Sequence, residues 1–423
     1  MRLGVTSEIG KLKSVLVHLP GREIDIMIPP MMKQLLFDDI LYGQVAREEH
    51  RRFQQLIRMV AEEVLDVQDL LEEAFENGDV KEEVVRDLAR RNRLGRRLAE
   101  RLLAQTPGAL AEVLVGGIVS ERSVSGELPK FDLLPVPNYF FMRDPQFVVG
   151  DGVVVSSMAT DARLRESLLS KYVFKYHKAF RKHDLFWHDF TEDDGVKPAR
   201  GRKRATIEGG DVLVARRDLL IVGHSERTNV AGIEQLAMSL KKSKAQIKTV
   251  IVVDMPKQRS FMHLDTIFTF ISRNECLIYP PVLLPGAKQA AKVTAVDLTR
   301  KNIHYSPQKS LLGALKKQGF DLEPISCGGR RAVDQQREQW TDGANAFALS
   351  PGIVLLYERN VRTAEELDRH GYHLAYEDDL LLGRTELETW TEKKYAVLLQ
   401  GNELSRARGG PRCMTMPLVR EEV

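Results

Sequence analysis

A cysteine near the end of the sequence lies in a setting that favours nucleophilic chemistry. Cys413 follows the segment Arg408-Gly409-Gly410-Pro411-Arg412, in which glycine and proline predict a tight, exposed turn. The two arginines supply positive potential, which favours the thiolate, the nucleophilic form of cysteine. A free cysteine is otherwise commonly a small, buried, apolar residue. Cys276, inside an apolar strand, and Cys327, before a Gly-Gly loop, have no comparable neighbours.

A histidine and an aspartate two residues apart are candidates to work with this thiol. His263 and Asp265 stand at the start of a predicted strand, where alternation sends both side chains to the same face. A thiol hydrolase needs an imidazole to move protons and carboxylates to orient a cationic substrate. The alternative is that His263 ligates a metal or is a satisfied core histidine. An isolated His-x-Asp motif favours that alternative.

Acidic residues at the entries of two further predicted strands suggest that the substrate is a cation. Glu208-Gly209-Gly210-Asp211 precedes one strand, and its glycines permit close approach of the backbone to a ligand. Asn138 and Arg143-Asp144-Pro145 form a similar polar cluster before another pair of strands. The acidic pair at 208 and 211 could equally be the charged entry of a hairpin.

Length and composition are those of a folded globular protein. The chain has 423 residues, 43% of them hydrophobic, and this length suffices for roughly two to three ordinary domains. Lysine and arginine number 62 against 59 acidic residues, and a net charge of +3 on so large a surface argues against a nucleic-acid partner. We see no secretory signal and no apolar stretch of roughly 18 residues. Three widely separated cysteines fit reduced thiols. We therefore expect a cytoplasmic protein without a membrane partner.

The elements that must position these residues recur along the chain. Two short β-rich runs around a turn, a polar segment and a helix-like stretch form the repeated pattern. Residues 211–225 show it, followed by helical spacing over 229–240, and residues 344–358 repeat it, followed by a helix over 363–370. Strand pairs are also predicted at 145–157 and 263–280, and one strand at 13–19. The pattern indicates an array of strand-rich modules around one centre.

Two segments depart from this pattern. The interval from about Leu70 to Leu114 is rich in Glu, Arg, Leu and Ala, and its amphipathic spacing predicts several helices inserted after the first module. We interpret the charged residues of this interval as a solvent-exposed surface without a catalytic role. Residues 195–204 are basic but contain no interleaved aromatic residues, so we interpret them as an exposed loop rather than a nucleic-acid site.

Several stretches of the sequence together resemble the arginine deiminases, within the guanidino-group-modifying hydrolases and transferases. The matching stretches are residues 7–20 (SEIGKLKSVLVHLP), 35–39 (LLFDD), 138–145 (NYFFMRDP), 207–214 (IEGGDVLV), 225–229 (SERTN), 262–269 (MHLDTIFT), 342–346 (DGANA) and 409–417 (GGPRCMTMP). They occur in the family's order and span nearly the whole chain. MHLDTIFT, GGPRCMTMP and the helical insert favour the arginine-specific branch over agmatine deiminases, dimethylarginine hydrolases and amidinotransferases.

The resemblance implies a fold, a division of the chain and an activity. The fold would be α/β, a five-bladed pseudo-symmetric propeller with an inserted helical domain. Residues 1–69 would form the first module, about 70–115 the helical insert, and 116–423 the remaining modules with most of the site. The implied reaction is hydrolysis of L-arginine to L-citrulline and ammonia through a covalent cysteine thiouronium, with neither a metal nor an organic cofactor. L-Arginine is then the small-molecule partner, and we expect a homo-oligomer.

The resemblance also implies a role for each of ten residues. Cys413 would be the nucleophile, and Asp144 and Asp265 would bind the guanidinium group. His263 would protonate the departing ammonia and then activate water, with Glu208 orienting it. The substrate-binding residues would be Arg163 and Arg227 at the α-carboxylate, Asn138 nearby, Arg408 as a mobile gate, and Asp211 in the acidic motif. Residues 139–142 and the basic loop before Thr206 depart from the family pattern, which bears on fine substrate contacts.

Other activities are compatible with the same residues. An amidinotransferase would use an amine in place of water, and a dihydrolase would carry the product on to ornithine. A metal hydrolase could use His263, Asp265, Glu208 and Asp211 as ligands. A catalytically inactive arginine-binding or scaffold protein is a further alternative. The intact set of cysteine, histidine and carboxylates argues against that last one.

Overall fold

The fold is α/β, with short strands in small sheets and helices between them. The computed structural model describes residues 1–92, 94–125, 127–180, 186–193, 204–243 and 245–423, so the basic loop predicted at 195–204 lies, apart from Arg204, outside the described residues. The strands are β1 Leu12–Val17, β2 Glu63–Asp66, β3 Ile118–Val119, β4 Phe131–Leu133, β5 Gln146–Val149, β6 Gly152–Val155, β7 Phe186–Asp189, β8 Val212–Arg216, β9 Leu219–His224, β10 Thr249–Asp254, β11 Phe268–Phe270, β12 Glu275–Ile278, β13 Lys292–Asp297, β14 His304–Gln308, β15 Glu323–Ser326, β16 Phe347–Ser350, β17 Ile353–Tyr357, β18 Tyr372–Tyr376, β19 Lys394–Leu399 and β20 Met416–Arg420. The helices are α1 Arg22–Asp25, α2 Pro29–Leu35, α3 Gly43–Arg58, α4 Val67–Phe75, α5 Gly78–Asn92, α6 Arg96–Leu103, α7 Pro107–Gly116, α8 Leu164–Tyr176, α9 Val230–Lys242, α10 Pro280–Leu283, α11 Leu311–Lys317, α12 Ala332–Trp340, α13 Val361–Arg369 and α14 Glu377–Leu381.

Five sheets share one pairing pattern, in which an antiparallel pair of strands is extended by a third strand parallel to the second. These triplets are β5-β6-β7, β8-β9-β10, β11-β12-β15, β16-β17-β19 and β20-β1-β2. At least one helix lies between the second and third strands of each triplet, because parallel neighbours require a crossover connection. The strand pairs predicted at 145–157, 211–225, 263–280 and 344–358 are confirmed, as is the strand predicted at 13–19.

Within the described residues, four helices, α4 to α7, occupy the interval in which the sequence predicted several helices. The Asp66 side chain caps the N-terminus of α4 by accepting the Gln68 amide N–H, and Thr106 caps α7 through the Ala109 amide. The buried apolar faces of these helices join one core cluster with β5, β6 and α8. The helices therefore support α8, which begins directly after Arg163. Within the described residues, no helix is both long and apolar enough to cross a bilayer.

The β16-β17-β19 strands are buried on both faces, as their continuous apolar sequence requires. All five residues of β17 are buried, because helices and neighbouring modules cover both faces of this sheet. Leu355, at the centre of β17, is 0% exposed, whereas Leu382, just after α14, is 64% exposed. These two leucines provide a matched pair for measuring what burial contributes to stability.

We expect Leu355→Ala to lower the free energy of unfolding by about 3 kcal/mol, because it removes buried apolar atoms and leaves a cavity. Leu382→Ala should change it by less than about 0.5 kcal/mol. Urea unfolding followed by circular dichroism measures both values. Equal effects of the two substitutions would show that β17 is not part of a packed core.

Candidate active site

Cys413 lines a small cavity together with six other residues that the sequence proposed for the site. The cavity volume is about 20 Å³, and the six are Asn138, Asp144, Arg163, Arg227, His263 and Arg408. Glu208 and Asp265 lie directly behind it, in contact with His263 and Cys413 respectively. Such a volume holds about one water molecule. A ligand larger than a water molecule therefore enters only when side chains that line the cavity move.

The residues of the site occupy equivalent positions in the five strand triplets. Asp144, Glu208, the His263–Asp265 segment and Asn345 each lie shortly before the first strand of an antiparallel pair, which is β5, β8, β11 and β16 in turn. Cys413 lies three residues before β20. One repeated topological position thus supplies the thiol, the imidazole and the carboxylates. The backbone at these positions is irregular, and the polar side chains it carries are buried.

The backbone of Cys413 is held from two sides. Its amide N–H donates to Asn345 Oδ1 at 3.1 Å, and its carbonyl accepts the Arg143 amide N–H at 3.0 Å. Gly410 makes the first contact possible, because a Cβ at that position would lie 2.7 Å from Asn345 Oδ1. The Asn345 side chain also donates from Nδ2 to the Asp265 carbonyl at 3.2 Å. Asn345 therefore sets the position of the thiol relative to Asp265.

His263 and Asp265 reach the site from a turn and not from a strand. His263 has extended backbone, residues Leu264–Thr266 form a 3-10 turn, and β11 begins only at Phe268. The explanation by strand alternation was therefore wrong, although His263 does line the cavity and Asp265 lies directly behind it, in contact with Cys413. The Asp211 carboxylate holds this turn, because it accepts the Leu264 amide at 2.9 Å and the Ser225 hydroxyl at 2.6 Å.

Asp211 is also hydrogen-bonded to the Thr228 side chain, and it does not line the cavity. The prediction that it contacts the substrate does not fit this placement. Burial raises the pKa of Asp211 to about 7, against the lowering effects of His263 and of its hydrogen bonds. Its position indicates that Asp211 orients the His263–Asp265 segment.

The His263 imidazole lies between two carboxylates. Its Nε2 donates to Glu208 Oε2 at 2.8 Å, and its Nδ1 lies 3.6 Å from Asp144 Oδ1. Burial alone would lower the pKa of His263, but Asp144, Glu208 and Asp211 together raise it to about 9. Gly210 permits this packing, since a Cβ there would lie 2.6 Å from Nδ1. The ring is therefore an imidazolium at neutral pH and can act as an acid.

The Cys413 thiol lies beside a carboxylate, with Sγ 3.7 Å from Asp265 Oδ2. Burial, followed by the charges of Asp265, Asp144 and Asp342, raises the pKa of Cys413 well above its ordinary value. The expectation that the flanking arginines favour the thiolate was wrong for this arrangement. Arg412 donates instead to Asp265 at 2.8 Å and to Glu8 at 3.1 Å, so its charge is already balanced.

Two arginines predicted to hold the α-carboxylate differ in their surroundings. Arg163 donates to Asp144 Oδ2 at 2.8 Å and, from Nε and Nη2, to Glu166 at 2.8 to 3.1 Å. Arg227 Nη1 has no hydrogen-bond partner among the described residues and lies 3.8 Å from Glu208 Oε1. Arg227 therefore has a buried N–H group that is free to donate to an anion. Asn138 donates from Nδ2 to the Leu35 carbonyl at 2.7 Å and shapes the same wall.

Arg408 occupies an unusual position at the edge of the cavity. Its backbone is left-handed, with φ at 64°, and its guanidinium carbon lies 3.5 Å from the centre of the Trp340 ring. Its side-chain nitrogens have no hydrogen-bond partner within the described part of the chain. The cation is therefore held by an aromatic face.

Three residues of the site were not assigned by the sequence. Asn345 lies in the quoted DGANA stretch, but nothing in the stretch shows that its amide reaches Cys413. Glu166 follows Arg163 by three residues, a spacing that brings side chains together at a helix start and could have revealed the pair. Trp340 ends α12 and carried no signal, because its contact with Arg408 joins segments distant in sequence.

Among the described residues, one group of side chains is placed to hold a metal ion. Asp144, Glu208 and His263 each offer a ligand atom, and these atoms lie within 4.8 Å of one another. Arg163 Nη1, however, is 2.8 Å from Asp144 and 3.7 Å from Glu208. A guanidinium group therefore already provides the positive charge that a metal ion would bring to these carboxylates.

The sequence profile described as arginine deiminase matches residues 33–420. Arginine deiminase of Bacillus thuringiensis subsp. konkukian is 35% identical to this chain, over 99% of this chain and 98% of the relative. The enzyme of that name from Clostridium perfringens is 35% identical over 100% and 98%. The chain belongs to the arginine deiminase family. A third member, from Streptococcus gordonii, is 32% identical over 99% of this chain and 98% of its own length.

Solved structures place this arginine deiminase family member among α/β proteins of known fold. A crystal structure of a dimethylarginine dimethylaminohydrolase adduct superposes with a TM-score of 0.50 at 13% identity, covering 96% of this chain and 99% of that one. An amidinotransferase from Microseira wollei gives a TM-score of 0.54 at 12% identity, covering 100% and 98%. At these identities the likeness establishes the shared fold.

The raised pKa of Cys413 leads to a pH prediction. Thiolate appears only as pH rises through the pKa, so alkylation of Cys413 by iodoacetamide should have a midpoint above that of an unperturbed cysteine, about 8.5. Peptide mass spectrometry at each pH follows Cys413 separately from the buried Cys276 and Cys327. A midpoint below pH 7 would mean that the arginines, and not the carboxylates, control this thiol.

Proposed function

We propose that this protein is an arginine deiminase, which hydrolyses L-arginine to L-citrulline and ammonia. Membership of the arginine deiminase family supports this activity. The observation that carries it is the convergence of the Cys413 thiol, the His263 imidazolium and the carboxylates of Asp144 and Asp265 at one buried cavity. A thiol nucleophile, a proton donor and two anions are what cleavage of a guanidinium C–N bond requires.

Two unpaired carboxylate oxygens define where the guanidinium group binds. Asp144 Oδ1 and Asp265 Oδ1 are buried and have no hydrogen-bond partner among the described residues. Leaving a buried acceptor unsatisfied costs about 1 to 3 kcal/mol, so both oxygens favour a ligand rich in N–H groups. A guanidinium bound between them brings its carbon close to the Cys413 sulfur. Its positive charge also offsets the carboxylates that raise the pKa of Cys413, so substrate binding promotes ionisation of the thiol.

The first half of the reaction forms the covalent intermediate. The thiolate of Cys413, formed by release of its proton, adds to the guanidinium carbon and gives a neutral tetrahedral species. The His263 imidazolium, raised in pKa by its carboxylate neighbours, donates a proton to the departing nitrogen. The C–N bond breaks, ammonia leaves, and a thiouronium remains on Cys413.

The second half hydrolyses that intermediate. His263, now neutral, takes a proton from water as the oxygen adds to the thiouronium carbon. Collapse breaks the C–S bond, forms the ureido C=O of citrulline and releases the hydroxyl proton, which restores the thiol. Glu208 orients the imidazole throughout, since its other carboxylate oxygen is fixed by the Ala159 amide at 2.9 Å. Arg227 and Arg163 bind the α-carboxylate, with Asn138 in the same wall and Arg408 at the entrance.

We also propose that the five strand triplets form the blades of a five-bladed propeller. Their common pairing pattern supports this arrangement, and so does the equivalent position of each site residue before the first strand of its triplet. In this proposal, residues 1–69 form the first module, 70–115 are the helical insert, and 116–423 form the remaining modules and add β20 to the first.

We further propose that the protein is a cytoplasmic homo-oligomer. Three free, buried cysteines support a reducing compartment. Large exposed apolar side chains within one stretch of sequence, Tyr376 and Trp390, support an interface between copies. Light scattering of the purified protein measures the number of copies.

The activity itself is tested by product analysis. Purified protein incubated with L-arginine should release citrulline and ammonia in equal amounts. Two ammonia molecules with ornithine would indicate a dihydrolase, and product formation only with an added amine would indicate an amidinotransferase. Binding of arginine without any product would refute catalysis.

We expect Cys413→Ser to reduce kcat by at least about a thousandfold, because a serine hydroxyl ionises far less readily than a thiol. The fold should survive, since one atom is exchanged. Cys276→Ser and Cys327→Ser are the controls and should retain activity when folded. A Cys413→Ser rate within tenfold of the parent would exclude the covalent mechanism.

A metal-dependent alternative is separated by chelation. Because Arg163 occupies the carboxylate cluster, we expect turnover to be unchanged within about 20% after exhaustive dialysis against EDTA. Elemental analysis of the dialysed protein verifies removal. Activity lost on dialysis and restored by a divalent cation would establish the metal hydrolase instead.

A further inference from the structure

Arg163 brings a guanidinium group to the carboxylate proposed to bind the guanidinium of the substrate. Its Nη1 donates to Asp144 Oδ2 at 2.8 Å and lies 3.7 Å from Glu208 Oε2. All three groups are buried. Although burial works to lower it, the charges of Glu166, Asp144 and Glu208 hold the pKa of Arg163 above its usual range. The empty site therefore already contains an arginine–carboxylate pair of the kind that the substrate must form.

The opposite edge of the same guanidinium is bound to Glu166. Nε and Nη2 donate to both oxygens of the Glu166 carboxylate at 2.8 to 3.1 Å, a forked arrangement of several contacts. Glu166 lies in the first turn of α8, three residues after Arg163, and is completely buried. One edge of Arg163 is thus anchored to its own helix, and only Nη1 faces Asp144.

We propose that Arg163 is an internal substitute for the substrate guanidinium, and that Glu166 is a positioning residue that holds Arg163 when the substrate displaces it from Asp144. The inference rests on the proposed arginine deiminase function. It gives Glu166 a role in substrate selection without direct contact with the substrate.

Charge balance explains why such an exchange selects for an α-carboxylate. When arginine enters, its guanidinium takes both oxygens of Asp144, the unpaired Oδ1 and the Oδ2 that Arg163 Nη1 occupies, and its carboxylate pairs with the Nη1 edge that Arg163 gives up. Each buried charge keeps a partner. A guanidine without a carboxylate also displaces Nη1 from Asp144 but offers it no anion, so the buried Nη1 edge loses its acceptor while Nε and Nη2 keep Glu166. Discrimination against such a guanidine therefore arises partly from the displacement of Arg163.

Arg227 provides the matched comparison. It is a second buried arginine of the cavity, but its closest approach to a carboxylate is the 3.8 Å contact with Glu208, and it does not bind Asp144. Replacing either arginine by methionine removes one positive charge from the site. Only the replacement of Arg163 also removes a competitor for Asp144.

The first experiment measures guanidinium binding without turnover. Guanidinium chloride at increasing concentration is used to protect Cys413 from iodoacetamide in the parent protein, in Arg163→Met and in Arg227→Met. We expect half-protection at ~10-fold lower concentration in Arg163→Met, and a change of less than ~3-fold in Arg227→Met. Equal half-protection concentrations for the two variants would overturn the proposal. Since no product is needed, this result stands apart from the outcome of the arginine turnover assay.

The second experiment tests Glu166 and does not depend on the folding of the Arg163 variant. Glu166→Gln keeps the size and one acceptor oxygen but removes the charge that anchors Arg163. We expect the ratio of kcat/KM for arginine to that for agmatine to fall by ~10-fold, with the change in the KM for arginine and not in kcat. This ratio is independent of the fraction of folded enzyme. A ratio unchanged within twofold, or an equal loss for both substrates, would show that Glu166 has only a structural role.

Discussion

Ionised groups at the centre of this molecule lie where water barely reaches, so their charges must balance one another. Glu8 and Asp265 share Arg412, Glu166 and Asp144 share Arg163, and Glu208 is paired with the His263 imidazolium. Removing one member of a buried pair typically costs roughly 3 to 5 kcal/mol, because the other charge is left without a partner. Each pair therefore fixes the distance between the two segments that carry its charges. The fold must supply them before any chemistry is possible.

These pairs connect segments that are remote in sequence. Glu8 precedes β1 and Arg412 precedes β20, while Asp265 lies in the turn before β11. A site built at one position of a repeated strand pattern gains its variety from what each repeat places there: a carboxylate, an acidic pair, a histidine, an asparagine or a thiol. The sheets make the site rigid, and the irregular segments before them carry the side chains to the cavity. The resulting cavity is small because opposing charges draw its walls together.

The strand pairs and helices followed from local pattern, since alternation, turn residues and amphipathic spacing are properties of neighbouring residues. The candidate residues followed from chemistry and resemblance, and their catalytic roles stay predictions. Side-chain partners did not follow. Arg412 adjoins Cys413 in sequence but turns its charge towards Glu8 and Asp265, so the thiol loses the positive neighbour that the sequence suggested. Asp211 lies in a motif beside Glu208 yet faces Ser225 and the Leu264 amide. Such orientations depend on contacts between distant segments, which spacing along the chain does not encode.

The sheet that holds Cys413 in place joins β20 to β1 and β2. A ribosome releases β1 and β2 early and Met416–Arg420 only after nearly every other element. During synthesis, one edge of β1 therefore stays unpaired until β20 has been made. Such an edge can pair with strands of other chains. Cys413, the predicted nucleophile, reaches its partners in that same step. A nascent chain thus carries every carboxylate of the pocket before it carries the thiol, and catalytic competence begins only when synthesis of this sheet is complete.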